Sequence, residues 1–335
     1  MNQPAPTPAP SIRIGIAGYG NLGRGVLAAL RQSSDMRPVA VFTRRDPAAV
    51  RLEEPDLPLV ALDEVASWRD RIDVMVLCGG SAKDLPEQGP ALAALFNTVD
   101  SFDTHAKIPA YFEAVDAAAR RAGTLSVISV GWDPGMFSLN RLYGEALLPE
   151  GDTYTFWGRG LSQGHSDAVR RVPGVKAGVQ YTIPNEAAIA RVRAGERPQL
   201  TTREKHERQC YVVLQPGADA AAVEQAIVSM PAYFADYDTT VHFISQEALD
   251  RDHSGMPHGG FVLRSGVTGS GTPQVNEYAL KLGSNPEFTS SVVVAYARAA
   301  YRLHRDGQTG ARTVFDIAPG LLSPKSPADL RRELL

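Results

Sequence analysis

The stretch Ile12-Arg-Ile-Gly-Ile-Ala-Gly-Tyr-Gly-Asn-Leu-Gly-Arg-Gly25 decides the fold. It begins as an apolar run of β-type residues, Ile12, Ile14 and Ile16. It then turns on Gly18, Gly20 and Gly23, spaced G-x-G-x-x-G, and runs on into Val26-Leu-Ala-Ala-Leu30, which reads as helix. A strand, a glycine turn and a helix in this order suit a dinucleotide. Gly18 makes the tight turn, Gly20 lets backbone approach the pyrophosphate, and Gly23 lets helix and strand pack closely. The helix N-terminus offers unpaired N–H groups and a positive dipole end to the phosphates. A glycine-rich turn with nothing bound is the plain alternative, and the flanking strand and helix argue against it.

The chain has 335 residues, enough for two domains of ordinary size. A hydrophobic share of 44%, a charged share of 21% and a net charge of −3 describe an ordinary globular chain. They give no reason to expect nucleic acid or an anionic membrane as partner. Two cysteines, Cys78 and Cys210, cannot build a disulfide framework, so a reducing cytoplasm is the expected compartment. No uncharged apolar run reaches the roughly 18 residues of a membrane span. Met1–Ser11 is rich in Pro and Ala, without the basic and apolar regions of a signal peptide, and is expected to be a loose tail.

After the first helix comes Pro38-Val-Ala-Val-Phe42, ending in Thr43-Arg-Arg45. A dinucleotide fold places the group that meets the adenosine ribose here, an acid in NAD-specific versions. Arg44 and Arg45 stand there instead, and guanidinium groups suit a 2′-phosphate, so NADP is expected over NAD. The alternative is a solvated basic turn. Pro55–Leu62 reads as a proline-rich connection and Asp63–Arg71 as a short amphipathic helix. Ile72–Cys78 is a buried strand followed by Gly79, Gly80 and Ser81. Glu87–Phe96 reads as helix, Thr98–His105 as a short strand running into a polar loop, Ile108–Ala122 as a helix ending at Gly123, and Leu125–Val130 as a strand. Five strands alternating with helices imply a Rossmann-type doubly wound parallel α/β sheet over 12–130.

At Gly131-Trp-Asp-Pro-Gly-Met-Phe-Ser138 the pattern changes. Asn140–Leu148 is helical. Candidate strands follow at Thr153–Trp157, Val179–Ile183, Arg208–Leu214, Thr239–Ile244, Gly260–Leu263 and Gln274–Leu282, with a helix at Ala220–Met230. They predict a second, α+β domain with a mixed sheet over 131–283. Thr289–Asp306 is a long helix and Leu321–Leu335 a shorter one, so 284–335 is expected to return to the first domain.

The seven histidines are scattered and no metal site is expected. There is no nucleophile elbow and no P-loop. Polar residues gather instead in glycine- and proline-punctuated loops. Asp100, Asp103 and His105 follow one strand, and Trp132 and Asp133 another. Later come Gly160–Asp167, His206–Cys210, Gly255–Gly260 and Asn285–Phe288. Acids near the cofactor, with Arg208 and His258 in the second domain, suit a small substrate carrying both ammonium and carboxylate groups. Hydride leaves an amine carbon readily only when the nitrogen is neutral, so a carboxylate such as Asp103 or Asp133 is a candidate proton acceptor. Burial would raise its pKa to suit that role.

At this point the chain resembles the diaminopimelate dehydrogenase family. The resemblance rests on Gly18–Arg24, Arg44-Arg45, Thr98-Val-Asp100, Gly131–Ser138, Phe156-Trp-Gly158, Gly160-Leu-Ser-Gln-Gly-His-Ser-Asp167, Arg208-Gln-Cys210, Gly255-Met-Pro-His-Gly-Gly260 and Asn285-Pro. It implies NADP-dependent, reversible oxidative deamination of the D-centre of meso-2,6-diaminopimelate to L-2-amino-6-oxopimelate, which cyclises to tetrahydrodipicolinate, and ammonia, in lysine and diaminopimelate biosynthesis. By the same resemblance, Asp103 and Asp133 would hold the reacting amino group. Trp157, Ser162, Gln163 and Gly164 would line the reacting end, and Thr182, Arg208, His258 and Asn285 would grip the distal L-centre. The cofactor contacts it implies are Gly18, Tyr19, Gly20, Asn21, Leu22 and Gly23, then Thr43, Arg44 and Arg45. Cys78, Gly79, Gly80 and Ser81 follow, with Asp100, Ser101 and Phe102, and finally Val130, Gly131, Trp132, Asp133 and Pro134. The family is usually a homodimer through its second domain, with domains that close over the ligands.

Where the family often has Thr-Tyr-Asp-Asn-His, this chain has Ser101-Phe-Asp-Thr-His105, so a possible cofactor hydrogen bond is missing at Phe102. Two other readings use the same residues: a broader NADP-dependent D-amino-acid dehydrogenase, and a non-catalytic NADP-binding sensor. A sensor would have no use for Asp103, Asp133, Arg208 and His258 together.

Overall fold

A computed structural model describes residues 11–335; of the expected loose tail, Met1–Pro10 lie outside the described residues. The chain divides into two compact units. One runs up to Leu139 and takes in Pro286–Leu335, and the other is Asn140–Asn285.

The first unit is built on β1 (Ile12–Ala17), β2 (Met36–Thr43), β3 (Leu59–Ala61), β4 (Val74–Leu77), β5 (Thr98–Asp100) and β6 (Leu125–Val127). With Gly310–Arg312 they form a seven-stranded sheet in the order Gly310–Arg312, β6, β5, β4, β1, β2, β3. Every pairing is parallel. Strands covered on both faces need apolar side chains on both, and the two-residue period sorts them. Ile14, Ile16, Val74 and Val76 enter one core, with Val26 and Leu27 of α1 (Asn21–Arg31). Ala17, Met75 and Leu77 enter the other, with Leu85 of α2 (Leu85–Ala93) and Val115 of α3 (Ile108–Ala122). As the sequence predicts, α3 ends at Gly123, whose φ of 70° is left-handed. Strand order reverses between β1 and β4. Their carboxyl ends are therefore neighbours, and Cys78 N–H donates to Ala17 O (2.7 Å).

Four expectations need correction. The sheet has seven strands rather than five. Leu59–Ala61, read as a proline-rich connection, is an edge strand too short to show a period. Gly310–Arg312 pairs with β6 from far along the chain, which no local pattern reveals. The helix read at Asp63–Arg71 is a 3-10 helix over Leu62–Arg71, with Val65 its buried side chain. The strand read to Val130 stops at Val127, and Ser129 follows with φ 57°. The terminal helix is confined to Pro327–Leu334, capped by Ser326 accepting from Asp329 N–H.

The second unit contains β7 (Glu150–Trp157), β8 (Gly160–Leu161), β9 (Val175–Pro184), β10 (His206–Leu214), β11 (Asp238–Phe243), β12 (His258–Val267) and β13 (Pro273–Leu282). All six candidate strands are present. They lie in a four-stranded sheet of mixed sense, β11-β10-β9-β8, and a three-stranded antiparallel one, β13-β12-β7. Helix Gln163–Arg170 packs on β9, and Val169, Cys210, Val212, Ile227 and Phe234 fill the core beneath. Among the described residues, no helix is long and apolar enough to cross a membrane.

The helix Asn285–Arg305 supplies Val293, Tyr296, Ala297 and Ala300 to the first core. Its Arg298, 5% exposed, donates from Nε and Nη2 to both oxygens of Asp35 (2.6 and 2.7 Å) and from Nη1 to Leu322 O (2.6 Å). The guanidinium holds the Asp35 carboxyl below its usual range. Removing one partner of such a pair strands a buried charge. Asp35→Ala is expected to lower the free energy of urea unfolding by about 3–5 kcal/mol, whereas a loss under about 1 kcal/mol, within the range of exposed pairs, would show the pair to be solvated.

Candidate active site

The glycine turn has the geometry its spacing requires. A Cβ on Gly23 would stand 2.1 Å from Gly18 O, so only glycine lets α1 approach β1 so closely. Gly18 has φ 104° and lies against Cys78 and Gly79 backbone. Gly20 is exposed, and no atom lies within 4 Å of where its Cβ would be, which leaves the mouth of α1 open. A cavity of about 320 Å³ begins there, lined by Gly18, Tyr19, Gly20, Thr43, Arg44, Arg45, Cys78 and Gly79. A further hollow of about 540 Å³ runs along Arg44–Pro47 and Ala61–Asp63. Arg45 donates from Nη2 to Tyr19 O (3.0 Å), and Arg44 Nη2 meets Asp84 Oδ1 (2.8 Å). This donor set, with backbone N–H at a helix start and two guanidinium groups on the rim, fits a phosphorylated dinucleotide. Asn21 and Leu22 open α1. Burial raises the Cys78 thiol, which suits it to packing rather than reaction.

The loops after β4, β5 and β6 are tied together. Ser81 Oγ accepts from Asp103 N–H (2.7 Å) and Thr104 N–H (3.2 Å), and Gly80 N–H donates to Asp84 Oδ2 (2.8 Å). Asp100 is 1% exposed. Its Oδ1 accepts from Phe102 N–H and Ser129 N–H (3.0 Å each) and its Oδ2 from Tyr111 OH (2.7 Å). The Asp100 side chain therefore binds its own loops together. Phe102 is buried and stacks on Tyr111 (4.1 Å between ring centroids). Asp103 is exposed, Ser101 and Asp133 are half-buried, and Val130 and Gly131 are buried. Trp132 packs edge-on to Phe137 (5.2 Å) and, with Asp133 and Pro134, makes the tight bend closed by Met136 N–H to Gly131 O (3.0 Å).

In the second unit, cross-strand register gathers a different set. Thr182 on β9 faces Arg208 on β10, and Gly160 on β8 faces Thr182. Arg208 is 5% exposed. It donates from Nη1 to Thr182 Oγ1 and stacks over the Tyr237 ring (3.9 Å), its Nε is buried without a partner, and burial lowers its pKa. Among the described residues no carboxylate pairs with it. The other buried arginines are satisfied: Arg298 by Asp35, and Arg264 by Leu148 O, Pro149 O and Thr153. Ser162 caps its helix, with Oγ 2.8 Å from His165 Nδ1. Gln163 Nε2 lies 3.2 Å from Met256 Sδ, and the position above Gly164 is open. The His258 ring occupies space that a Cβ on Gly160 would fill, and Gly259 N–H donates to its Nδ1 (2.8 Å). Asn285 N–H donates to Met256 O (2.9 Å).

Two residues without an assigned role matter here. His206 accepts from Trp157 N–H at Nε2 (2.8 Å) and stacks on its indole (5.3 Å), setting the angle of a ring that is 36% exposed. Gln180 is fully buried with both amide atoms unpartnered, on the same face of β9 as Thr182. The one signal for it was a polar side chain inside the apolar alternation Val179–Ile183.

Strands ending in glycine turns at a switch point, a rim of two arginines and a buried unpaired cation in a separate α+β unit define a class: a nucleotide-dependent dehydrogenase acting on a small charged substrate. Residues 131–284 match the diaminopimelic acid dehydrogenase C-terminal domain. The chain is 65% identical over 324 residues to the meso-diaminopimelate D-dehydrogenase of Ureibacillus thermosphaericus, covering 97% of this chain and 99% of that one. It superposes on the C. glutamicum DAP dehydrogenase in complex with DAP with a TM-score of 0.91 at 46% identity, covering 98% of this chain and 100% of that chain. An engineered D-amino acid dehydrogenase bound to NADP+ gives 0.85 at 45% identity, covering 97% and 100%. The chain belongs to the meso-diaminopimelate D-dehydrogenase family.

Burial holds His206 at about 3 and His165 at about 4, both below an ordinary histidine. The unfolded chain then binds protons below about pH 6.5 that the native state refuses, so stability is lost as pH falls from about 6.5 towards 4 for His165 and towards 3 for His206. His206→Gln is expected to flatten that fall in urea titrations; an unchanged slope would mean that His206 titrates normally.

Proposed function

We propose that this chain catalyses the reversible NADP-dependent oxidative deamination of the D-centre of meso-2,6-diaminopimelate to L-2-amino-6-oxopimelate and ammonia. The observation that carries this reading is Arg208, a buried cation whose partners are a hydroxyl and an aromatic face. A buried charge without a counter-ion is costly, and a substrate carboxylate is the group that would neutralise it. Thr182, His258 and Asn285 would hold the rest of the distal L-centre. An enzyme that only removed an amino group from any D-amino acid would have no need of this second grip.

At the reacting end, Asp103 and Asp133 would receive the ammonium group. Ser81 fixes the Asp103 backbone. One of the two carboxylates takes the proton that must leave before the nitrogen lone pair can push. Trp157, oriented by His206, would line the reacting end with Ser162, Gln163 and Gly164. Bound NADP would supply the hydride acceptor, and water would hydrolyse the imine left on the substrate. Gly18–Gly23 would seat the pyrophosphate, and Arg44 and Arg45 the 2′-phosphate.

We also infer a homodimer through the second unit, which exposes Phe243 (37%) and Val275 (40%), and a cytoplasmic location. Light scattering at twice the chain mass would support the dimer.

The deciding assay is NADPH formation with meso-diaminopimelate, its LL and DD isomers and D-lysine. Turnover confined to the meso isomer is expected. Comparable kcat/KM on D-lysine would make this a broader D-amino-acid dehydrogenase. Arg208→Met is expected to raise KM for the meso isomer about 100-fold, while stabilising the ligand-free protein because a buried charge is removed. Asp133→Asn is expected to lower kcat about 100-fold; an unchanged kcat would assign the proton to another acceptor.

A further inference from the structure

Asp84 lines the nucleotide cavity and pairs with Arg44 at its rim. Its side chain is 15% exposed, and both oxygens are engaged. Oδ2 accepts from Gly80 N–H (2.8 Å), while Asp84's own N–H donates back to Gly80 O (2.8 Å). Its Oδ1 meets Arg44 Nη2 (2.8 Å). Gly79 packs against the same residue, since a Cβ there would lie 2.8 Å from Asp84 Cβ. Asp84 is therefore braced by the turn after β4 and extends one carboxylate oxygen to Arg44.

Arg44 needs such a brace. Its side chain is 61% exposed, and a long exposed arginine gives up rotamer freedom when a ligand fixes it. One N–H bound to Asp84 fixes the guanidinium plane in advance and leaves its other donors for a phosphate. Arg45 is treated alike, with one N–H spent on Tyr19 O. A free carboxylate so close would repel a phosphate, but both oxygens of this one are engaged, by Arg44 and by Gly80 N–H.

We propose that Asp84 is a positioning residue for cofactor choice: it pre-orients Arg44 so that the 2′-phosphate of NADP meets a guanidinium already in place. This rests on the reading that Arg44 receives that phosphate. Asp84→Asn is the informative change, because its amide oxygen can still accept from Gly80 N–H while the charge that holds Arg44 is lost.

The experiment is calorimetric titration of the full chain with NADP, NAD and adenosine 2′-monophosphate, for Asp84→Asn, Arg44→Ala and the double variant. Asp84→Asn is expected to weaken NADP and adenosine 2′-monophosphate about tenfold and leave NAD unchanged, with no further loss in the Arg44→Ala background. Equal weakening of NADP and NAD would overturn the proposal and reduce Asp84 to a brace for the turn. Tighter NADP binding would overturn it too, making Asp84 a competitor of the phosphate. An additional loss in the Arg44→Ala background would show that it does not act through Arg44. If Arg44→Ala alone leaves the NADP-to-NAD ratio unchanged, the underlying reading of Arg44 fails and the proposal with it.

Discussion

The first unit depends on one steric constraint, the approach of Gly23 to Gly18 O. With 2.1 Å available to a side chain that is not there, α1 can lie directly against the end of β1. That contact directs the first N–H groups of α1 to the carboxyl edge of the sheet and leaves Gly20 bare. The reversal of strand order at β1 and β4 brings the turn at Gly79 to the same edge. The loops after β4 and β5 are then held by Ser81 and Asp100, whose bonds all run within the unit. The cavity is thus a consequence of backbone packing, and the arginines of its rim are placed on a frame that is already closed.

The second unit works by the opposite device, an interaction left incomplete. Arg264 and Arg298 show how this chain treats a buried guanidinium that serves only the fold. Their N–H groups meet carbonyl or carboxylate oxygens, with one Arg264 N–H on the Thr153 hydroxyl. Arg208 receives a hydroxyl and a ring, and its Nε receives nothing. The neighbouring Gln180 amide is likewise unpartnered. The core of Val169, Cys210, Val212 and Phe234 beneath must supply the stability that this polar face gives up. A site that keeps its binding energy for a ligand has to be less stable when empty.

Much of this was legible from residue order. The period of two in Ile12–Ala17 and Val74–Leu77, the glycine spacing and the caps of the helices are local signals, and each produced the element it implied. The six longer strands of the second unit were legible for the same reason. Short strands were not: three residues at Leu59–Ala61 or Gly310–Arg312 carry no period, and their pairing is decided by neighbours elsewhere in the chain. The role of Asp100 was open as well. A carboxylate at the end of a strand faces a ligand or its own loops equally well on paper, and only the positions of Phe102, Ser129 and Tyr111 decide that its oxygens are already used.

By itself, then, the sequence determined the nucleotide unit, the pair of arginines that follows β2, and the family, because those depend on residue types at fixed local spacing. The tertiary structure decided which charges are paired. It joined Arg298 to Asp35 and Arg44 to Asp84, left Arg208 without a counter-ion, and set His206 against Trp157. Whether a charge is a strut or a receptor depends on burial and on partners distant in the chain, and neither is written in the order of the residues.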